Sequence, residues 1–159
     1  GIYFDATNPF SRLLLGRVSM ILTAITLHAA IIGFMVFFSA VVAQSVFKTL
    51  SQKAAGAFLR VLFPRMFIFG LILSLMAAAV AAYNGIAHTA LLSIFVSTGF
   101  ALNAFAVTPI INKQRDAMLA GNDVAGKKFK QFHFLSVAIF LVQLIASSYI
   151  VVAGVIASL

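Results

Sequence analysis

The chain has no cysteine and only three acids among 159 residues. Without cysteine there is no disulfide and no thiolate chemistry. Asp5, Asp116 and Asp123 are the only carboxylates. All three fall in terminal or loop positions, which leaves little for acid–base catalysis. No paired carboxylates, no Ser/His/Asp grouping and no phosphate loop can be assembled. Charged residues make up 9% of the chain, against roughly 25% in soluble domains, too few to cover a surface facing water. The apolar stretches contain no acid, lysine or arginine at depth. Proton relays, ion-coupled carriers and voltage sensors are disfavoured on that ground, because they need intramembrane charge.

What the chain has in abundance is apolar sequence, 63% of all residues. Four long stretches carry it, over about 18–47, 63–83, 87–111 and 132–159, each reaching the ~20 residues that a helix needs to cross a bilayer. Strands of a barrel would be shorter and would alternate in polarity. Hydrocarbon requires the backbone to satisfy itself, so four helices follow. The expectation is an all-α integral membrane four-helix bundle, one domain over 1–159. Gly1 in place of an initiator Met implies a processed or trimmed start, and residues 1–11 lack the basic region of a signal peptide.

Eleven Lys and Arg outweigh the three acids, for a net charge of +8. Nine of the eleven fall in two links on one side of the alternation: Lys48, Lys53, Arg60 and Arg65, then Lys113, Arg115, Lys127, Lys128 and Lys130. Only Arg12 and Arg17 fall on the other. The positive-inside rule makes the basic side cytoplasmic and puts both termini outside. The excess then points to anionic lipid headgroups rather than nucleic acid. Arg65, Lys113 and Arg115, with His133 at the mouth of the fourth stretch, form the candidate rim for such a headgroup or an acidic partner. Within the links, Ser51 is a candidate cap for a helix over 54–62, and Gly121-Asn122-Asp123 a break before the last helix. Asn84-Gly85 reads as a tight turn.

Lipid tails are as apolar as leucine, so small residues must let such helices approach. Gly70, Ser74, Ala78 and Ala82 recur every four residues along the second stretch. Ser93, Ser97 and Ala101 do so along the third, and Ala146, Gly154 and Ser158 lie in the fourth. Inside the spans the polar residues are His28, Gln44, Asn103 and Gln143. Asn103 and Gln143 lie roughly 12 and 16 Å from the cytoplasmic ends of their segments, at ~1.5 Å per residue, and that similar depth suggests a hydrogen bond between them. Pro109 reads as a terminator or kink of the third helix. His28 and His88 both lie toward the outer side. Two imidazoles at one leaflet suit haem b iron or copper, with Met20 and Met76 able to assist Cu(I).

Three runs resemble one family. They are Phe47-Lys48-Thr49-Leu50 with Ala55-Gly56 and Leu62-Phe63-Pro64-Arg65, then Leu102-Asn103-Ala104-Phe105-Ala106-Val107-Thr108-Pro109 with Asn112 and Arg115-Asp116, and last Phe132-His133-Phe134-Leu135-Ser136-Val137. In order and spacing they look like the transmembrane-protein-205-like family, also called domain of unknown function 4149. The resemblance implies a four-helix membrane protein of unassigned activity. Ile110 and Phe134 depart from it, standing where polar or basic residues are common. More distantly, His28-Ala29-Ala30 resembles the first helix of four-helix proteins related to copper-resistance protein D and the haem-dependent protoporphyrinogen oxidase. The oxidase also uses a lysine within a later helix, which this chain lacks.

The combined expectation is a multi-pass protein of a bacterial inner membrane. Its role is a non-enzymatic accessory subunit of a larger complex, a homo-oligomer, or a transport or resistance component. The alternative is a haem- or copper-binding redox protein built on His28.

Overall fold

The computed structural model describes the backbone of residues 9–158, and side chains except those of residues 9–15, 17, 18, 20 and 158. Asp5 and Asn8 lie outside the described residues, as do the side chains of Arg12, Arg17, Met20 and Ser158. Every element is helical. The first rod comprises α1 (Pro9–Phe37), a π-helical segment (Phe38–Val42) and α2 (Ala43–Thr49). The second is α3 (Gln52–Tyr83). The third comprises α4 (Ala87–Ala101), a second π-helical segment (Leu102–Val107) and α5 (Thr108–Leu119). The fourth is α6 (Asp123–Ser158). Four helices, Ile21–Thr49, Gln52–Tyr83, Ala87–Leu119 and Asp123–Ala157, are long and apolar enough to cross a membrane.

The rods run up, down, up and down, and each packs on the two beside it in a four-sided ring. Three short joints are enough. Ser51 Oγ accepts from Ala54 N–H (3.4 Å) and starts α3. Asn122 Oδ1 accepts from Ala125 N–H (3.0 Å) and starts α6. Gly85 and Gly121 take φ values of +69° and +92°, which side-chain-bearing residues rarely adopt, and so turn the chain at Asn84-Gly85 and Ala120–Asn122.

The helices are longer than the apolar stretches. α3 begins at Gln52 rather than near Phe63, the third rod runs on to Leu119 rather than ending near Ile111, and α6 begins at Asp123 rather than near Phe132. The two basic links are therefore helical almost throughout. Water at that end tolerates polar side chains on a helix, so the helix outlasts its hydrophobic period. Pro109 does not end its helix. It lies in the first turn of α5, directly after the π-helical segment, whose wider turn takes up the missing N–H and the ring's bulk. Pro64 likewise sits inside α3.

The helices approach closely at three glycines. A Cβ on Gly70 would come within 2.5 Å of the Phe100 ring, one on Gly99 within 2.8 Å of the Gln143 side chain, and one on Gly154 within 2.7 Å of Ile25. Gly70, Ser74 and Ala78 are buried on α3, but Ala82 is exposed and Ala81 is buried in its place. A strict four-residue step drifts about 40° per repeat against the 3.6-residue turn, so the ridge leaves the interface by its fourth member. Asn103 and Gln143 do not pair. Asn103 Nδ2 donates to Ser136 O (3.3 Å) and Gln143 Nε2 to Val96 O (2.9 Å). That antiparallel register sets Gln143 level with Val96, about 10 Å along the rod from Asn103 at 1.5 Å per residue. The remaining oxygens, Asn103 Oδ1 and Gln143 Oε1, are buried with no partner among the described residues.

Replacing Gly70 by Leu should lower the thermal midpoint in detergent, because Phe100 is fully buried and overpacking costs about 1–3 kcal/mol. Gly33, whose surroundings are open to 4 Å, should accept Leu with an unchanged midpoint.

Candidate functional site

Two polar arrangements stand out inside the bundle, at opposite ends. The first centres on His28, fully buried on the bundle axis. Its Nε2 lies 2.9 Å from Ser93 Oγ on α4 and its Nδ1 3.2 Å from Ser147 Oγ on α6. Ser93 Oγ spends its proton on Thr89 O (2.8 Å), so it accepts from Nε2–H, and Nδ1 is left to accept from Ser147. Ser97 Oγ, with one proton to give, lies within hydrogen-bond distance of Ser74 Oγ on α3 (2.9 Å) and of Ser93 O (2.8 Å). Side chains from all four rods thus meet in one small buried cluster.

His28 and His88 have separate surroundings. His88 is exposed and meets the edge of Tyr149, ring centroids 5.8 Å apart, beside a cavity of about 230 Å3. Both ring nitrogens of His28 already hold hydroxyl groups, so a bond to iron or copper there would break one of them. Among the described residues no three His, Cys, Asp or Glu side chains gather as metal ligands. Met76 is exposed on α3.

The second arrangement is a cleft of about 730 Å3 at the basic end, within the size range of ligand pockets. All four rods contribute. Its deep walls are Met35 and Phe38 of the first rod, Phe63 and Phe67 of α3, and Phe140 and Leu144 of α6. Phe38 tilts against Phe63 (5.2 Å) and Phe63 stacks on Phe67 (5.9 Å), making an aromatic wall. The mouth is polar: Gln52 and Arg60 from α3, Asn112 and Arg115 from α5, and His133 from α6, stacked on Phe129 at 6.0 Å. Ser39 and Ala40 of the first π-helical segment line it, and the second ends at Val107, next to Thr108 in its wall. Such wide turns recur at functional sites.

Charge in the mouth is unevenly satisfied. Arg60 is ion-paired with Asp116, tying α3 to α5. Arg115 has no acidic partner among the described residues. Its Nη2 reaches Gln52 O at 3.5 Å, the outer limit of a useful hydrogen bond. The guanidinium lies flat over Gly56, where a Cβ would fall 1.5 Å from Nη2. Glycine at 56 is therefore the condition for Arg115 to lie in the mouth.

The family model for a domain of unknown function, DUF4149, matches residues 26–120. The chain belongs to the DUF4149 family. The matched stretch of this DUF4149 protein holds His28, Gly56, Arg60, Arg115 and Asp116, and so most of the cleft mouth. No curated protein and no solved structure matches the chain.

Of the rim residues expected from sequence, Arg115 and His133 line the cleft, whereas Arg65 and Lys113 are exposed and outside its walls. Gln52, Arg60 and Asn112 were not anticipated there. The available signal was helical spacing: Gln52, Gly56, Arg60, Phe63 and Phe67 share one face of α3. That face is legible only if the helix begins before Phe63.

His28→Ala should cost about 1–3 kcal/mol, the penalty for stranding buried hydrogen-bonding groups, read as a lower unfolding midpoint in detergent. His88→Ala, at an exposed position, should stay within about 0.5 kcal/mol of the parent.

Proposed function

We propose that this DUF4149 chain is a non-enzymatic multi-pass membrane component that takes an amphiphile from the bilayer into the cleft at its basic end. It would act as part of a transport or resistance system or as an accessory subunit that holds such a ligand. The observation carrying this reading is the cleft itself, with aromatic and aliphatic walls, a mouth of Arg, Asn, Gln and His, and a volume of about 730 Å3. Pockets of that size lined by apolar side chains with a few polar groups are the usual form of small-ligand sites. The scarcity of carboxylates supports holding rather than chemistry. The more distant likeness to copper- and haem-related four-helix proteins would make His28 a ligand. Its hydrogen bonds to Ser93 and Ser147 favour a structural histidine instead.

The basic end faces the cytoplasm in this reading, with both termini on the other side of a bacterial cytoplasmic membrane, because nine of eleven basic residues cluster at one end. The chain has no cysteine, so single cysteines report sidedness directly. In intact cells a membrane-impermeant maleimide should label Tyr83→Cys, at a position 87% exposed, and leave Lys128→Cys unlabelled until the cells are opened. The opposite pattern would reverse the orientation.

Ligand holding is tested by solvent extraction and mass spectrometry of protein purified in mild detergent. An amphiphile near one per chain is expected, reduced in Ala40→Trp, which adds bulk at an exposed position lining the cleft. Protein that carries none, and whose melting does not respond to added lipid, would overturn the proposal.

A further inference from the structure

The cleft is open along one side as well as at its mouth. α1 packs on α6, and His28–Ser147 and Ile25–Gly154 mark that contact at the end away from the basic mouth. Toward the basic end this contact is lost: among the described residues neither the segment Phe38–Val42 nor α2 approaches α6. The gap between the first rod and α6 therefore opens sideways, toward the hydrocarbon that surrounds a spanning bundle. Exposed Val36, Val137 and Leu141 edge it. A ligand can enter from the bilayer without passing through water.

Depth and charge narrow what would fit. Along α3 the wall runs from Gly56, beneath the Arg115 guanidinium, to Phe67. That is roughly 16 Å at 1.5 Å per residue. One leaflet supplies about half of a ~30 Å hydrocarbon core, so an acyl chain anchored at Arg115 reaches about as far as the wall does. Arg115 is half-buried, has no carboxylate partner among the described residues, and presents a planar fork of donors. Asp116 already engages Arg60 and so does not compete for Arg115. Lys53, Lys127, Lys128 and Lys130 add positive charge around the same end, against Asp123 alone. Guanidinium forks match phosphate oxygens bidentately, which a head group without phosphate cannot exploit, and the surrounding lysines favour a head group with net negative charge.

We infer that the cleft binds an anionic phospholipid, with its phosphate on Arg115 at the mouth and one acyl chain lying between the first rod and α6 along Phe63 and Phe67. The assignment rests on the amphiphile-holding reading above and adds the head group, the anchoring residue and the route of entry. Asn112 and Gln52 flank the phosphate position. Gly56 acts through Arg115, by leaving room for the guanidinium.

The test compares lipids that differ in one part only, added to the delipidated protein in neutral detergent and read by native mass spectrometry and thermal midpoint. Phosphatidylglycerol should bind more tightly than phosphatidylcholine of the same chains, and more tightly than the matching diacylglycerol. Arg115→Ala should remove roughly tenfold of the preference over diacylglycerol, the size of one charge-assisted hydrogen bond. Arg115→Lys should restore only part of it. Gly56→Ala, which puts a methyl group where the guanidinium lies, should behave like Arg115→Ala, with the lipid-free midpoint and elution volume checking that the bundle is intact. Lys113→Ala, outside the cleft, should keep the full preference. Phosphatidylglycerol binding no better than diacylglycerol, or a preference over diacylglycerol that survives Arg115→Ala, overturns the phosphate assignment while leaving a bound amphiphile, and phosphatidylcholine binding as tightly as phosphatidylglycerol overturns the anionic head group. Glycerol phosphate binding as well as the phospholipid would mean a free-phosphate site and overturn the lipid. No binding of any of them would overturn both readings.

Discussion

Backbone amides inside hydrocarbon have no water to turn to, and that constraint shapes the rest of the molecule. It makes each span a helix, and a helix that has satisfied its own backbone has little left with which to hold a neighbour. Burial against another helix gains little over burial against lipid. What remains is close van der Waals contact and a few side-chain hydrogen bonds. The chain uses both. Gly70 admits the Phe100 ring, Gly99 admits Gln143, and Gly154 admits Ile25. His28, Ser74, Ser93, Ser97 and Ser147 supply the hydrogen bonds. A histidine suits that centre because its two ring nitrogens point in different directions, one donating and one accepting, so a single side chain links α1 to both α4 and α6.

These devices are unevenly distributed, and the uneven distribution produces the cleft. The serine–histidine cluster and the Gly154 contact draw the first rod against α6 at one end. Near the basic mouth nothing equivalent joins them among the described residues. The residues there, Ala40, Ala43 and Phe47 on one side and Val137 and Leu141 on the other, face the space between the rods. The π-helical segment Phe38–Val42 lies where the two rods part, and wide turns are a recognised cause of helix bending. The second such segment precedes Pro109 and lets the third rod continue to Leu119, which carries Asn112 and Arg115 to the mouth. A helix stopped at Ile111, as the proline and the end of the apolar run suggest, would have left the cleft without its half-buried cation.

The tight end and the open end ask different things of the same residue types. Ser136 is buried like the serines near His28, but its carbonyl serves Asn103 rather than the cluster. Arg60 and Arg115 lie on neighbouring helices and both reach the mouth, yet Asp116 pairs only with Arg60. An exposed pair of this kind contributes little stability. Its larger consequence is to leave Arg115 with no acidic partner among the described residues.

Much of the fold was legible in the sequence because hydropathy and capping are local properties. The four spans, the Ser51 and Gly121-Asn122 boundaries and the Asn84-Gly85 turn follow from residues within a turn or two of each feature. The site was less legible. Arg115 and His133 stood out as basic residues at a membrane edge, but so did Arg65 and Lys113, and composition cannot say which side of a helix faces a gap. Gly56 stood out only as part of a family-like run. The Asn103–Gln143 pair failed because depth in two helices does not give their register, which the contacts of Val96 and Ser136 set. By itself, then, the sequence determined the number of helices, their membrane length and the charge asymmetry of their ends, all sums over neighbouring residues. Tertiary structure alone decided the rest: that His28 is held by two serines from distant helices, that the rods separate at the basic end, and that Arg115 lies over Gly56 with no acidic partner among the described residues. Each depends on which faces of separate helices meet, and no run of residues along the chain encodes that distance.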